Sequence, residues 1–140
     1  MSDDPDFQTA FWEAKHAMAA ANAAAFSRHG VHQGQQFILR LLWAEDGQTP
    51  GEIARQLGLA TPTVTRAATR MEAAGLLRRE PHPGDRRLVR LLLTERGHSL
   101  EGVIAAETDK LTERALAAFA PGEREALIRA LVAVRRNLSV

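Results

Sequence analysis

Arginine side chains offer the clearest chemistry in this sequence, and they concentrate in its middle third. Residues 47–94 contain eight arginines against four acidic residues, a net charge of +4, although the whole chain of 140 residues carries only +1. Residues 1–46 have three basic against six acidic residues, and residues 95–140 have seven of each. A guanidinium group presents paired N–H donors that match phosphates and planar pairs of acceptors. The middle third is therefore where we look for an anionic partner.

The sequence lacks the residues that other reactive chemistries require. There is no cysteine, which excludes a disulfide framework, a thiolate zinc site and a thiol nucleophile or sensor. No G-x-S-x-G, H-E-x-x-H or glycine-rich phosphate loop is present, and no paired carboxylates suggest acid–base catalysis. We expect no enzymatic activity and no cofactor. We also expect no metal site, because the histidines form no convincing ligand set: His16, His29, His32, His82 and His98.

Two helices that meet across a tight turn are predicted to position the arginines. The segment Thr49–Gly58 has a threonine cap, a proline at the first helical position and Glu52 in place for a capping box. Its final glycine suits the left-handed residue that ends a helix. The segment Thr61–Ala74 repeats the Thr-Pro start, with Thr61 as the expected cap.

The second of these helices has two contrasting faces. One arc, at about 100° per residue, is apolar and consists of Val64, Ala67, Ala68 and Met71. The opposite arc is polar and consists of Pro62, Thr65, Arg66, Thr69 and Arg70. Two short strands follow, Leu76–Glu80 and Leu88–Leu93, around a turn-rich basic segment that contains Arg86 and Arg87.

A short helix, a tight turn, an arginine-bearing helix and a basic hairpin together predict a winged helix-turn-helix. Arg66 and Arg70 can bind base edges in the major groove bidentately, and the threonines can do so more weakly. Arg86 and Arg87 suit the minor groove and its flanking phosphates, and Asp85 is expected to orient one of them. The predicted DNA-binding residues are Thr61, Pro62, Thr63, Thr65, Arg66, Thr69, Arg70, Arg86 and Arg87.

Four further helices are expected around this unit. An alanine-rich helix runs from about Asp6 to Arg28 and a second from about Gln35 to Glu45. Thr94 caps a long helix, and a last helix starts at Pro121, where Ala120 offers no side-chain cap. The apolar faces of the first and last two helices exceed what a winged-helix lobe can cover, so we expect them to pack against a second copy of the chain.

The motifs resemble those of the multiple-antibiotic-resistance regulator (MarR) family of winged-helix transcription factors. The resemblance rests on Thr49–Gly58, on Thr63–Arg66 leading into Met71–Arg79, and on Gly84–Arg87 followed by Leu91–Gly97. It implies a homodimer on a pseudo-palindromic operator, more often a repressor that a ligand relieves. It also implies a cleft for a small aromatic or phenolic effector.

Candidates for that cleft are aromatic and polar residues in the first two helices. They are Trp12, His16, Phe37, Arg40 and Trp43. Aromatic residues at helical spacing more often belong to the core, so the core is the favoured interpretation and an effector cleft is the alternative. A metal-responsive regulator and a winged helix that binds protein instead of DNA are the alternatives to the main reading.

The sequence thus predicts a mainly α fold in a single MarR-type domain, residues 1–140. Residues 32–94 would form the winged helix-turn-helix lobe, and residues 6–28 and 95–138 the dimerisation helices. The acidic N-terminal segment is unlike a targeting peptide, and no apolar stretch reaches the roughly 18 residues of a membrane span. We expect a cytoplasmic protein whose partners are double-stranded DNA, a second copy and an effector, with no membrane contact.

Overall fold

The computed structural model describes residues 3–32 and 34–139. It contains six helices and two strands within these ranges, which confirms the mainly helical class: α1 (Phe7–Ser27), α2 (Gln35–Ala44), α3 (Pro50–Leu57), α4 (Thr61–Ala73), β1 (Leu77–His82), β2 (Asp85–Leu93), α5 (Glu95–Ala115) and α6 (Pro121–Leu138). The residues up to Thr108 form one compact unit, and those from Asp109 onward form a second. No helix in the described ranges is long and apolar enough to cross a membrane.

The start of α3 follows the prediction, but the start of α4 does not. Thr49 Oγ1 accepts a hydrogen bond from the backbone N–H of Glu52 at 3.2 Å. The expected capping box is incomplete, because within the described residues the Glu52 side chain accepts no bond from the Thr49 N–H. Gly58 ends α3 in the left-handed conformation, with φ of 67°. The expected cap at Thr61 is wrong: Ala60 occupies that position without a side-chain hydrogen bond, and Thr61 is the first helical residue. The turn between α3 and α4 is therefore one residue shorter than the Thr-Pro pattern indicates.

We expect the two threonines to differ in their contribution to stability. Thr49→Ala should lower the free energy of unfolding by about 1 kcal/mol, because it leaves a helix N–H without its acceptor. Thr61→Ala is the matched control and should change it by less than about 0.5 kcal/mol, as an exposed substitution does. Urea unfolding followed by circular dichroism compares the two. Equal losses would contradict this assignment of the caps.

The hairpin is longer than the sequence indicates. Leu77 pairs with Leu93 at its base, and the antiparallel register continues to Pro81 opposite Val89 and, after an irregularity, His82 opposite Asp85. Arg86 and Arg87 therefore lie in β2, whereas we expected residues 81–87 to form the turn. The strands extend further because pairing across the hairpin includes charged residues whose local pattern is not strand-like.

Side chains from α2, α3, α4 and the hairpin form one core. Val64, Ala68 and Met71 of α4 are buried as predicted, and Ala67 is half-buried. The rest of this core consists chiefly of Leu39, Leu42, Ile53, Leu76, Leu77, Leu91 and Leu93. This packing fixes α4 from behind and leaves its polar arc facing solvent.

The start of α5 is attached to the base of the hairpin at Gly97. A Cβ atom there would overlap the carbonyl oxygen of Leu76, so the close approach of α5 to the Leu76 backbone requires glycine. Trp43 donates its indole N–H to the carbonyl of Gly97 at 2.9 Å. Thr94 caps α5 as predicted, since its Oγ1 accepts from the N–H of Gly97 at 3.1 Å while donating to the carbonyl of Gly75 at 2.6 Å. The hairpin, α2 and α5 are thereby held in one arrangement.

The second unit contains the end of α5 and all of α6. At the start of α6, Glu123 accepts a hydrogen bond from the backbone N–H of Ala120 at 2.9 Å. Alanine has no oxygen to complete the reciprocal bond, as the sequence indicates. Arg124 donates to Glu113 at 2.9 Å, and this contact holds the pKa of Glu113 below its ordinary value. None of the residues of α6, which lies wholly in the described ranges, is buried.

Candidate nucleic-acid interface

The outer arc of α4 is a solvent-facing row of hydrogen-bonding side chains. Thr65, Arg66, Thr69 and Arg70 are all exposed, as are the three residues of the first turn, Thr61, Pro62 and Thr63. Arg66 donates to Thr63 Oγ1 at 3.4 Å, a long contact that a stronger acceptor can displace. All seven DNA-binding residues predicted in this helix are therefore exposed, either in its first turn or on its outer arc.

A clamp that sequence reasoning missed connects α4 to the hairpin. Arg79 donates from Nη2 and Nε to Glu72 Oε1 at 3.0 and 3.2 Å, and its backbone N–H donates to Glu72 Oε2 at 2.9 Å. The backbone hydrogen bond first, and the guanidinium second, hold the pKa of Glu72 below its ordinary value. Neither helical nor strand periodicity relates a residue at the end of a helix to a residue in the following strand. The sequence alone therefore does not indicate this pair. The clamp fixes the end of α4 relative to the hairpin.

The hairpin presents Arg87 in a fixed orientation. Its Nε and Nη2 donate to the two carboxylate oxygens of Asp85, each at 3.0 Å, and its backbone N–H donates to Asp85 Oδ1 at 3.0 Å. The side chain of Arg87 nevertheless remains 89% exposed. Asp85 was expected to orient one of the two neighbouring arginines, and in the structure its partner is Arg87. Arg86 is exposed beside it.

The turn of the hairpin is closed by a histidine. The backbone N–H of Gly84 donates to His82 Nδ1 at 3.0 Å, so the neutral ring carries its proton on Nε2. His82 pairs with Asp85 across the end of the sheet. The turn thus sets the position of the residue that orients Arg87.

The pKa of Asp85 lies below its ordinary value, first because the Arg87 side chain donates to it and then because the Arg87 backbone does. Since the folded value is lower than the unfolded one, the pair stabilises the hairpin above the ordinary aspartate range. That stabilisation is lost only as the pH falls through the lowered value. We expect the Asp85 carboxyl carbon to titrate in NMR spectra at a lower pH than an unpaired aspartate. Arg87→Ala should move the midpoint upward, and an unchanged midpoint would contradict the pairing.

Ion pairing divides the arginines of the middle third into two groups. Arg78 and Arg90 both contact Glu80, at 2.8 and 3.4 Å, and Arg79 is held by Glu72. Within the described residues, Arg66, Arg70 and Arg86 form no ion pair. Arg87 is paired with Asp85, and Arg55 of α3 is a fourth arginine without an ion pair in the described residues. Three of the four unpaired guanidinium groups are therefore on the polar arc of α4 and on β2, where a polyanion gains from them.

Four of the five candidates for an effector cleft are exposed and form pairs within single helices, so the expectation that they belong to the core is wrong for these four. Trp12 stacks on His16 with ring centroids 4.9 Å apart and planes at 6°, and both are exposed on α1. Arg40 lies 5.8 Å from the ring centroid of Phe37 on α2. Trp43 is half-buried, with its indole N–H bonded to Gly97. The described residues contain no cluster of three or more potential metal ligands.

These elements define the class of protein. Helices α3 and α4 meet across a glycine turn, an antiparallel hairpin follows, and the second helix and the hairpin both carry exposed arginines. This arrangement is a winged helix-turn-helix, the kind of unit that places a helix in the major groove of DNA.

Comparisons with known proteins identify the family. The MarR family model matches residues 31–89. The HTH-type transcriptional regulator TtmR of Methylorubrum extorquens (strain PA1) is 32% identical over 141 residues, which cover 97% of this chain and 71% of the relative. The chain belongs to the MarR family and is a transcriptional regulator of the winged helix-turn-helix type, which confirms the resemblance and the expectation of a regulator in place of an enzyme.

Solved structures show the same fold. A MarR transcriptional regulator from Methanosarcina mazei Go1 superimposes with a TM-score of 0.83 at 23% identity, covering 93% of this chain and 94% of that chain. A MarR family transcriptional regulator from Listeria monocytogenes, complexed with 26mer DNA, gives a TM-score of 0.83 at 22% identity and covers 96% and 90%.

Proposed function

We propose that this regulator binds a pseudo-palindromic operator as a homodimer, with α4 in the major groove and the hairpin at the minor groove. The observation that carries the proposal is the location of four exposed arginines: the unpaired Arg66 and Arg70 on one arc of α4, and the unpaired Arg86 beside the oriented Arg87 on the hairpin. The solved relative from Listeria monocytogenes is complexed with DNA, which supports the same use of the fold here.

Exposed apolar side chains support the homodimer. Phe7, Phe11 and Trp12 of α1 are exposed, and so are Ile128, Leu131 and Leu138 of α6. Large apolar side chains grouped on exposed helices are typical of surfaces that a partner covers. A second copy covers both helices by two-fold symmetry and sets two recognition helices about 34 Å apart, one turn of the duplex. In this proposal residues 6–28 and 95–138 form the dimerisation region and residues 32–94 the lobe on DNA.

We further infer that the protein is a repressor and that a small aromatic or phenolic compound relieves it. The stacked Trp12–His16 pair and the Phe37–Arg40 pair offer flat surfaces and a cation that suit an aromatic anion. Aromatic acids should then weaken the binding of operator DNA. Arg40→Ala removes that cation and should reduce the response without changing affinity in the absence of the compound.

Salt dependence tests the proposal against a winged helix that binds protein. Two protomers with about three to five cationic contacts each should give a slope of log affinity on log salt of about −5 to −9. The measurement is a gel shift with the DNA upstream of the chain's own gene, repeated over potassium chloride concentrations. A scrambled duplex of the same length is the control. A flat response, or equal affinity for both duplexes at every concentration, would contradict operator binding.

A further inference from the structure

The threonine hydroxyls on the outer arc of α4 donate to the helix itself. Thr65 Oγ1 donates to the carbonyl of Thr61 at 3.1 Å, and Thr69 Oγ1 donates to the carbonyl of Thr65 at 3.0 Å. A hydroxyl has a single proton, so neither side chain has a donor left for a base. Both oxygens are turned toward the preceding turn of the helix.

The hydroxyl of Thr69 has a second contact. Arg79 Nη1 donates to Thr69 Oγ1 at 3.3 Å, and the same guanidinium is held by the carboxylate of Glu72. One lone pair of Thr69 is therefore occupied in addition to its proton. The Glu72–Arg79 clamp acts as a positioning pair that fixes the rotamer of Thr69.

Each oxygen keeps an acceptor lone pair but no proton, and the other group that each exposed side chain offers a partner is its methyl group. We propose that Thr65 and Thr69 are specificity-determining residues that contact the 5-methyl groups of thymines. A threonine methyl packs well against a thymine methyl in the major groove, where no other base has such a group. The inference rests on the proposed placement of α4 in that groove.

The spacing of the two threonines limits where the thymines lie. They are four residues apart, about 6 Å along the helix axis at 1.5 Å per residue. Successive base pairs are about 3.4 Å apart along the duplex. We therefore expect two thymines about two base pairs apart in each half-site, with the bases read by the neighbouring arginines close by.

The test uses a duplex whose thymine methyl groups can be removed without other change. The probe is the duplex that the wild-type chain enriches most from a pool of random sequences, prepared with thymine and again with uracil in both half-sites. Wild type should bind the uracil duplex more weakly by about fourfold for each methyl group that it contacts, from the transfer free energy of one buried carbon. An enriched duplex without thymine in its half-sites overturns the inference.

Paired substitutions separate methyl contact from hydrogen bonding. The double variant Thr65→Ser, Thr69→Ser keeps both hydroxyls and should bind the two duplexes equally. The double variant Thr65→Val, Thr69→Val keeps both methyl groups and should discriminate as wild type does. Both positions changed are exposed, and thermal unfolding checks that both variants fold.

Thr63 provides a matched control on the same helix. Its oxygen accepts from Arg66 at 3.4 Å, and its proton is free to donate within the described part of the chain. Thr63→Val should weaken binding to the thymine and uracil duplexes by the same factor. Equal discrimination by the serine variant and wild type would overturn the inference.

Two results would overturn the inference and leave the proposed function intact. In the first, the wild-type chain binds its operator selectively but has the same affinity for the thymine and uracil duplexes. In the second, the valine variant loses affinity while the serine variant keeps it. A wild-type chain that enriches no sequence from the pool would overturn both proposals. The experiment therefore distinguishes failure of methyl recognition from failure of operator binding.

Discussion

Arg66→Ala and Arg70→Ala should each relax the sequence preference of operator binding and cost about 1 to 3 kcal/mol at every base pair that the arginine reads. Both side chains are exposed on the outer arc of α4, and neither forms an ion pair within the described residues. Their guanidinium groups therefore enter the groove without first breaking a contact with a carboxylate. A symmetric dimer loses two such contacts for each substitution, so the effect on the whole operator is about twice as large.

The measurement is affinity for the operator and for a panel of its single base-pair variants. With wild type, several variants should bind more weakly than the operator. With the Arg66 or Arg70 variant, the difference should disappear at the positions that the missing side chain reads. Arg40→Ala, which changes an exposed arginine of α2 that is not among the proposed DNA-binding residues, is the control for loss of one positive charge.

The hairpin arginines should behave differently, because the minor groove distinguishes the four base pairs poorly. Arg86→Ala and Arg87→Ala should weaken binding to all duplexes by similar factors and lower the salt dependence. Arg87→Ala should have the larger effect, since it also leaves the Asp85 carboxylate unpaired near the phosphates. Adding Asp85→Asn to Arg87→Ala should restore part of the loss. Changed base preference in the hairpin variants, but not in the helix variants, would reverse the assignment of the two surfaces.

The sequence predicts what local rules determine, and the helix-turn-helix is largely local. The cap at Thr49, the end of α3 at Gly58 and the buried arc of α4 all agree with the structure. These features depend on residues within one or two turns of helix, where spacing and side-chain type are sufficient.

Features that depend on long-range contacts were missed or misplaced. The hairpin extends through Arg86 and Arg87 because strand pairing, and not local propensity, sets its length. Glu72 and Arg79 meet only after the hairpin folds against the end of α4. One local prediction, the cap at Thr61, was also wrong. The Thr-Pro pattern is compatible with a cap at either Ala60 or Thr61, and the turn after Gly58 places Ala60 at the cap position. These contacts position the candidate interface, so sequence reasoning finds its arginines but not what orients them.

Leu131→Asp should convert the protein from dimer to monomer and abolish tight operator binding without altering a proposed DNA contact. Leu131 is 45% exposed on α6, where Ile128 and Leu138 are exposed as well. If a second copy of the chain covers this surface with apolar side chains, a carboxylate at position 131 is buried without a partner. Burying an unpaired charge strongly disfavours association. Sedimentation velocity should report a mass near 15.3 kDa for the variant and twice that mass for wild type.

The loss of affinity follows from the geometry of two linked lobes. Once one lobe of a dimer is bound, the second binds at a high effective concentration, and this linkage increases affinity by about 100-fold or more. A monomer keeps only the contacts of one half-site. Ala133→Asp adds the same charge to α6 at an exposed position about 200° around the helix from Leu131, at 100° per residue. It should remain dimeric and bind the operator as wild type does, whereas a Leu131 variant that stayed dimeric and fully competent would exclude this face of α6 from the interface.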